Sequence, residues 1–355
     1  MLMTLTMPAG LENDDEPRRA TAPVRIKVRS ADELRTAVRH SRLQALTLDG
    51  SAMTHILRMD AKRGVLEVQA AATWAEVAKY LAGKKLRVEA FSSAPGLPAT
   101  VGESVSAAGP GPDGLPVTAH VAGIALVTPD GELRRADRET NPELLRAVLG
   151  GQGLIGMIYS VTFAVASLSA SAAEAGEPVA LDIPQPHPTH AAEYSFETLV
   201  PPDQLEAYLA DVRALADERR LTLLGISVRR YRKDTSACLA WATREWAGVR
   251  VRLGMRKTIG ASVAATEIRR ALLAAALAHG GSFLPRDLRY ATREQINACY
   301  PGLATFLRDK RRADPGDRLQ NDWYREALAK LRAERCESRW ADAAQSDALL
   351  GAPRT

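Results

Sequence analysis

Residues 143–163 read ELLRAVLGGQGLIGMIYSVTF, and the order of elements in this stretch decides how the chain folds. Gly151, Gly153 and Gly156 spell G-x-G-x-x-G, a string associated with dinucleotide binding. That use needs a strand before the glycines and a helix after them, because the pyrophosphate rests on the helix N-terminus. Here the order is reversed. Asn141 is a good N-cap with Pro142 at the first helical position, and Leu144, Leu145 and Val148 recur at helical spacing until Gly150 ends the run. Met157 to Val165 then alternates and is rich in β-branched and aromatic residues, as a strand is. The glycines close a helix and lead into a strand, which speaks against NAD.

Working outward from this loop, both flanks mix strands and helices. Val24, Ile26 and Val28 alternate with Arg25, Lys27 and Arg29 as a half-buried strand, and Ser30-x-x-Glu33 is a capping box that opens a helix through about His40. A strand from Val65 to Ala71 leads into a second capping box, Thr73-x-x-Glu76, and a helix that ends at Gly83. Strand Ile124 to Thr128 turns through Pro129-Asp130-Gly131 into Glu132 to Arg135. Beyond a segment rich in Ala, Ser and Pro come strand Tyr194 to Val200, helix Pro202 to Asp217, strands Leu221 to Tyr231 and Val249 to Met255, and helix Ala264 to Ala278. Thr292-x-x-Gln295 caps a short helix, and Pro301 suits the first turn of the next. The fold class is α+β.

The chain has 355 residues, 46% of them hydrophobic, enough for two domains or one with a large insertion. Its formal net charge is +5, but Lys and Arg are interspersed with Asp and Glu, and no basic stripe carries interleaved aromatics. Nucleic acid is therefore not an expected partner. Cys238, Cys299 and Cys336 stand far apart without C-x-x-C spacing, against both a disulfide framework and a zinc site. The start has no basic segment followed by an apolar one, no apolar run approaches a membrane span, and the expectation is a cytoplasmic protein.

Three segments in order resemble the flavoproteins of the vanillyl-alcohol oxidase and p-cresol methylhydroxylase superfamily, in the aldonolactone and alditol oxidase branch. They are Pro95-Gly-Leu-Pro-Ala-Thr-Val-Gly102, the loop Gly150 to Gly156, and Tyr300-Pro301 through Asp314-Pro315 to Asp322-Trp323-Tyr324-Arg325. The resemblance implies a two-lobed FAD-binding domain split around a smaller α+β substrate (cap) domain. Its divisions are a disordered tail at 1–22, the FAD-binding domain at 23–170, a linker at 171–190, the cap domain at 191–280, a return to the FAD domain at 281–335 and a tail at 336–355. It implies FAD as the cofactor, lined by Gly96, Thr100, Gly102, Ser106, Gly109, Gly111, Gln152, Gly153 and Ile158. The implied reaction is oxidation of a hydroxyl (CH–OH) substrate such as a sugar, polyol or lactone by hydride transfer to flavin. The bland alternative is that these glycines only make turns in a retained fold.

Four departures weigh on that reading. The family's Gly-rich pyrophosphate loop is absent from the shortened stretch His40 to Gly50, where His40-Ser41 reads as a chance pair at a helix end rather than a relic of it. The usual Gly-Gly is Gly102-Glu103, an anion where a pyrophosphate would lie. Pro110 stands where some relatives carry a tethering histidine, so the FAD expected is non-covalent. Leu284 and Asp287 fall where the family sets polar residues beside the flavin ring; Leu284 cannot move a proton, and Asp287, between Arg286 and Arg289, reads as a surface ion pair or a base. No catalytic residue is assigned. A flavin-free member that acts as a binding or interaction protein, with a protein partner, is the second expectation.

Other candidates read as structural. His187 and His190 lack a third ligand, so no metal is expected. His279 suits a helix C-terminus, Trp241 and Trp246 suit a core or domain interface, and Arg250, Arg252 and Arg256 form one face of a strand, read as solvated.

Overall fold

The structure is a computed structural model and describes residues 2–5, 24–40, 46–93, 97–173, 179–181, 191–256 and 258–331. In chain order the first elements are β1 (Leu2–Leu5), β2 (Val24–Lys27), α1 (Ala31–His40), β3 (Leu46–Asp49), β4 (Ile56–Asp60), β5 (Val65–Gln69), α2 (Trp74–Ala82), α3 (Ala90–Ser93) and α4 (Val101–Ser106). Next come β6 (Val121–Val127), β7 (Leu133–Asp137), α5 (Pro142–Val148), β8 (Met157–Ala164), α6 (Val165–Ala173) and β9 (Val179–Leu181). The chain continues through β10 (Ala191–Val200), α7 (Leu205–Glu218), β11 (Thr222–Tyr231), β12 (Trp246–Arg256) and α8 (Ile259–Ala278), then α9 (Arg293–Cys299), α10 (Leu303–Ala313) and β13 (Leu319–Gln320). Short 3-10 turns precede β6 (Val117–His120) and α7 (Pro202–Gln204), and a third follows α8 (Pro285–Tyr290). The mixture of helix and sheet is the α+β class expected.

Three sheets organise these elements. The first, in order β13-β1-β3-β2, joins the two ends of the described chain: β1 pairs antiparallel with both β3 and β13. Residues 2–5 thus correct the expectation of a disordered tail, because their backbone groups complete a ladder between two strands that would otherwise be edges. Leu34, Ala37 and Val38, one face of α1, bury on this sheet with Leu48 and Leu319. The second sheet, β4-β5-β8-β6-β7, is antiparallel throughout, and its inner face carries Leu66, Val68, Ile124, Leu126, Ile158 and Val161.

The third sheet, β10-β12-β11-β9, has two faces of different chemistry. Phe196, Val200, Ile226, Val249 and Val251 point one way and pack on α7 and α8. The alternate positions, Glu197, Ser227, Arg229, Tyr231, Arg250 and Trp246, point the other way. There Leu199, Tyr231, Trp241 and Trp246 merge into the same apolar cluster as the second sheet. The polar face of the third sheet is therefore turned toward the first half of the chain.

Several local readings need correction. Asn141 does not cap α5 through its side chain: it takes a left-handed φ of 54°, and its Nδ2 donates to Arg135 O at 2.9 Å. Pro301 lies just outside α10, whose N-cap is Gly302. At α1 the box is skewed, with Glu33 N donating to Ser30 Oγ but Glu33 Oε2 accepting from Arg29 N.

Candidate functional site

The charged cluster begins with Glu197, whose alternation in β10 places it among three partners. Register sets it opposite Arg250 on β12, which in turn faces Ser227 on β11. Arg250 donates to Glu197 Oε2 at 3.0 Å, Arg286 donates to the same oxygen at 2.8 Å, and Tyr231 Oη donates to Oε1. Burial alone would raise the Glu197 carboxyl. The guanidiniums of Arg250 and Arg286 and the Tyr231 hydroxyl override it and hold the group below its ordinary range. Burial, with the Glu197 charge beside it, pushes the Tyr231 phenol well up, so Tyr231 acts as a donor. Its ring lies on Gly248, where a Cβ would stand 2.2 Å from Cε2, so only glycine admits it.

Asp287 lies one residue beyond Arg286 in the 3-10 turn, with its side chain 7% exposed. Arg269 NH1, from α8, stands 3.3 Å from Oδ1. That guanidinium also stacks on the rings of Phe196 and Tyr290, at 4.7 and 4.5 Å, and donates to Ser195 O. Asp287 Oδ2 is buried and accepts no hydrogen bond among the described residues; Arg286 Nε is 3.7 Å away. Burial is the main cause of a raised Asp287 carboxyl, with Arg269 and Arg286 opposing it. Asp287 is therefore not the surface ion pair that its neighbours in sequence suggest. Arg250 likewise is not on a solvated face, its side chain being 21% exposed and bound to a buried carboxylate. Arg252 does fit that face, in an exposed pair with Glu193. Leu284 is buried beside this turn.

The inner face of the third sheet meets the loop at 107–115. Arg229 NH2 donates to Pro112 O at 2.9 Å, Arg232 NH2 to Asp113 Oδ2 at 2.6 Å, and Arg232 N to Gly114 O. Gly114 has φ +82°, and a Cβ there would stand 2.4 Å from Arg230 O. Asp113 is buried between Arg232 and His120; burial would raise it, but His120, the Leu115 amide and Ser171 bring it down to about 2. Farther along, Trp241 Nε1 donates to Ala108 O at 2.7 Å, and Cys238 N donates to Leu149 O. Trp241 and Trp246 are buried interface residues, and His279 caps α8 while meeting Asp211 at 2.8 Å.

The loops quoted from the sequence converge under this segment. Gly150 takes φ +69° just past α5, as the reversed reading requires, and its N–H donates to Val105 O. Gln152 donates its N–H to Ser106 O and accepts from Asn321 Nδ2 at 2.7 Å, which holds its left-handed φ of 53°. Residues 102–111, Gln152 and Asn321 thus come together, and Ile158 is buried in β8 behind them. Gly96, His187, His190 and Cys336 lie outside the described residues. Among the described residues no three His, Cys, Asp or Glu side chains gather at metal-binding distance, and no helix is long and apolar enough to cross a membrane.

Residues 22–137 match the FAD binding domain family. The match indicates FAD binding, and it supports a flavoprotein of the oxidoreductase class at that coarse level. It spans less than half of the chain and includes Thr100, Gly102, Ser106, Gly109 and Gly111 but neither the loop at 150–156 nor the third sheet. A search of curated proteins finds no match.

Backbone and hydroxyl groups answer differently when tested against FAD. The N–H groups of Gly102, Gly109 and Gly111 already donate within the chain, to Ala70 O, Ser104 O and Leu115 O at 2.7, 2.8 and 2.6 Å. A Cβ on Gly102 would stand 2.8 Å from Ala70, so this glycine serves a close approach between α4 and the end of β5. Thr100 Oγ1 caps α4. By contrast, Ser106 Oγ and Thr118 Oγ1 are buried with no hydrogen-bond partner among the described residues. Such orphaned hydroxyls, Ser169 and Ser171 among them, are groups that a polar ligand could satisfy.

Proposed function

We propose that this chain is a flavin-dependent oxidoreductase acting on a hydroxyl (CH–OH) substrate such as a sugar, polyol or lactone. In this reading residues 23–170 and 281–335 form two lobes of the flavin domain, and 191–280 is the cap. The observation that carries it is the polar face of the third sheet, with buried Glu197, turned toward the loops of the matched domain, and buried Asp287 in the turn beside it. FAD, non-covalent and held by Ser106 and Thr118, supplies the hydride acceptor when bound. The chain supplies the proton chemistry. Asp287 Oδ2, desolvated and with no hydrogen bond among the described residues, accepts the hydroxyl proton, and its raised carboxyl suits a general base. Glu197 stays ionised and fixes Arg250, Arg286 and Tyr231 in place, while buried Leu284 excludes water.

The test is the visible absorbance of the purified chain before and after incubation with FAD and desalting, followed by an anaerobic screen of polyols and lactones. Retained flavin that bleaches with one of them supports the reading. A second reading, a flavin-free binding protein, is favoured by the engaged amides of Gly102, Gly109 and Gly111 and by Trp241 on Ala108. A flat spectrum after FAD incubation overturns the first reading and leaves the second.

A further inference from the structure

Arg269 is held in place before it meets Asp287. Its guanidinium stacks on the rings of Phe196 in β10 and Tyr290 at the end of the 3-10 turn, 4.7 and 4.5 Å from their centres, and NH2 donates to Ser195 O at 2.9 Å. Two rings and a bond leave the planar fork little freedom to turn. From that fixed position NH1 stands 3.3 Å from Asp287 Oδ1. The two oxygens of one carboxylate are thus in unlike settings. A guanidinium faces Oδ1, whereas Oδ2 is buried with no hydrogen bond among the described residues, and Arg286 Nε lies 3.7 Å from it.

The backbone of the turn is tied down by other residues. Asp287 N donates to Leu284 O, and Trp323 Nε1 donates to Pro285 O at 2.8 Å. What Arg269 adds is charge and direction. Arg269 from α8 and Arg286 and Arg289 from the turn itself favour the ionised carboxyl, Glu197 on β10 opposes it, and Tyr300, just past α9, senses its charge. Without Arg269 the buried carboxylate keeps its desolvation and loses a compensating cation, so its protonated form gains.

We propose that Arg269 is a positioning residue: reaching from α8, it engages Oδ1 and leaves Oδ2 as the atom of Asp287 that takes a substrate proton. This rests on the reading of Asp287 as the general base, and it puts the control of that base in the segment read as the cap. Arg269 touches no reacting atom and acts through Asp287 alone.

A pH titration of the full chain, isotopically labelled at the aspartate Cγ and followed by NMR, tests it, with the Asp287 signal assigned by its loss in Asp287→Asn. The Asp287 midpoint is expected to move up in Arg269→Gln, to return toward the parent in Arg269→Lys, and to stay in Arg252→Gln, in the exposed pair with Glu193. An unmoved midpoint in Arg269→Gln overturns the proposal. So does a fall to the ordinary aspartate range, which would mean that Asp287 swings out to water and Arg269 only braces the turn. In protein that retains flavin, the acid limb of kcat/KM for a hydroxyl substrate found in the screen is expected to move up with the midpoint. A limb that stays while the midpoint moves overturns the proposal, because the proton then goes elsewhere. Protein that takes up no flavin sinks the oxidoreductase reading, and the titration by itself then decides whether Arg269 governs Asp287.

Discussion

Glu197 and Asp287 are both buried carboxylates beside Arg286, and their surroundings drive them in opposite directions. Glu197 has its charge answered by two guanidiniums and a phenol, so its folded carboxyl lies below the ordinary 4.5. A depressed acid contributes stability that is present above the unfolded value and lost as pH falls through the folded one. Asp287 lies above the ordinary 3.8, so its ionisation opposes folding and its protonation relieves that as pH falls. Glu197→Gln is therefore expected to cost about 3–5 kcal/mol at neutral pH by leaving Arg250 and Arg286 less compensated, and Asp287→Asn about 1 kcal/mol or less. Urea unfolding of the three proteins at about pH 7 and about pH 4 checks it: the parent should lose stability faster than Glu197→Gln as the acid range is entered. Equal losses would mean that Glu197 titrates normally. The sequence named Asp287 but not its setting. Its nearest charges in the chain are Arg286 and Arg289, whereas Arg269 comes from α8 and no local spacing reveals it. Glu197 was missed because alternation along β10 shows one apolar face and says nothing of whether the polar face is also covered.

At the scale of the element, local chemistry was the best guide. Thr73 and Thr292 each form the full capping box read from their spacing, with Glu76 and Gln295 returning to the cap N–H. Thr73→Ala is expected to cost about 1 kcal/mol in urea unfolding, through the two bonds of its hydroxyl, one donated to Glu76 Oε2 and one accepted from Glu76 N. A cost near zero would mean that Trp74, stacked on Phe91, holds the turn by packing alone. The strands β10, β11 and β12 were legible from alternation, as was the helix-glycine-strand order around Gly150. Asn141 was misread because its side chain donates back to Arg135 O, six residues earlier in β7, and this local turn bond takes the place of the cap. The strand at residues 2–5 was illegible for a different reason: its partners lie at 46–49 and 319–320, and no window of local sequence contains them.

The return of the chain to its first sheet depends on a buried cation. Lys310 in α10 is fully buried, donates to Asp314 Oδ2 at 3.1 Å and to Asp317, and lies 4.5 Å from the Tyr324 ring centre. Asp314 Oδ2 also accepts from Leu319 N, which starts β13. Lys310→Met is expected to cost about 3–5 kcal/mol by stranding Asp314, and hydrogen exchange should report the loss first in β13 and β1.

The two halves of the chain meet most tightly where the flavin-lining positions were expected. Trp241 is buried against Ala108, and residues 229–242 lie over the loops at 107–115 and 149–152. FAD held by those loops beneath this segment would require the segment to part from them as it enters. Uptake should therefore be slower than the roughly 10⁵–10⁷ M⁻¹s⁻¹ of unobstructed docking. Trp241→Phe, which keeps the ring but drops the bond from Nε1 to Ala108 O, should speed it by favouring the parted state. Following flavin absorbance after rapid mixing distinguishes two arrangements. Slow uptake that quickens in Trp241→Phe places the ligand beneath the segment, whereas fast uptake unchanged by the substitution means that FAD sits on a part of the matched domain that the segment never covers.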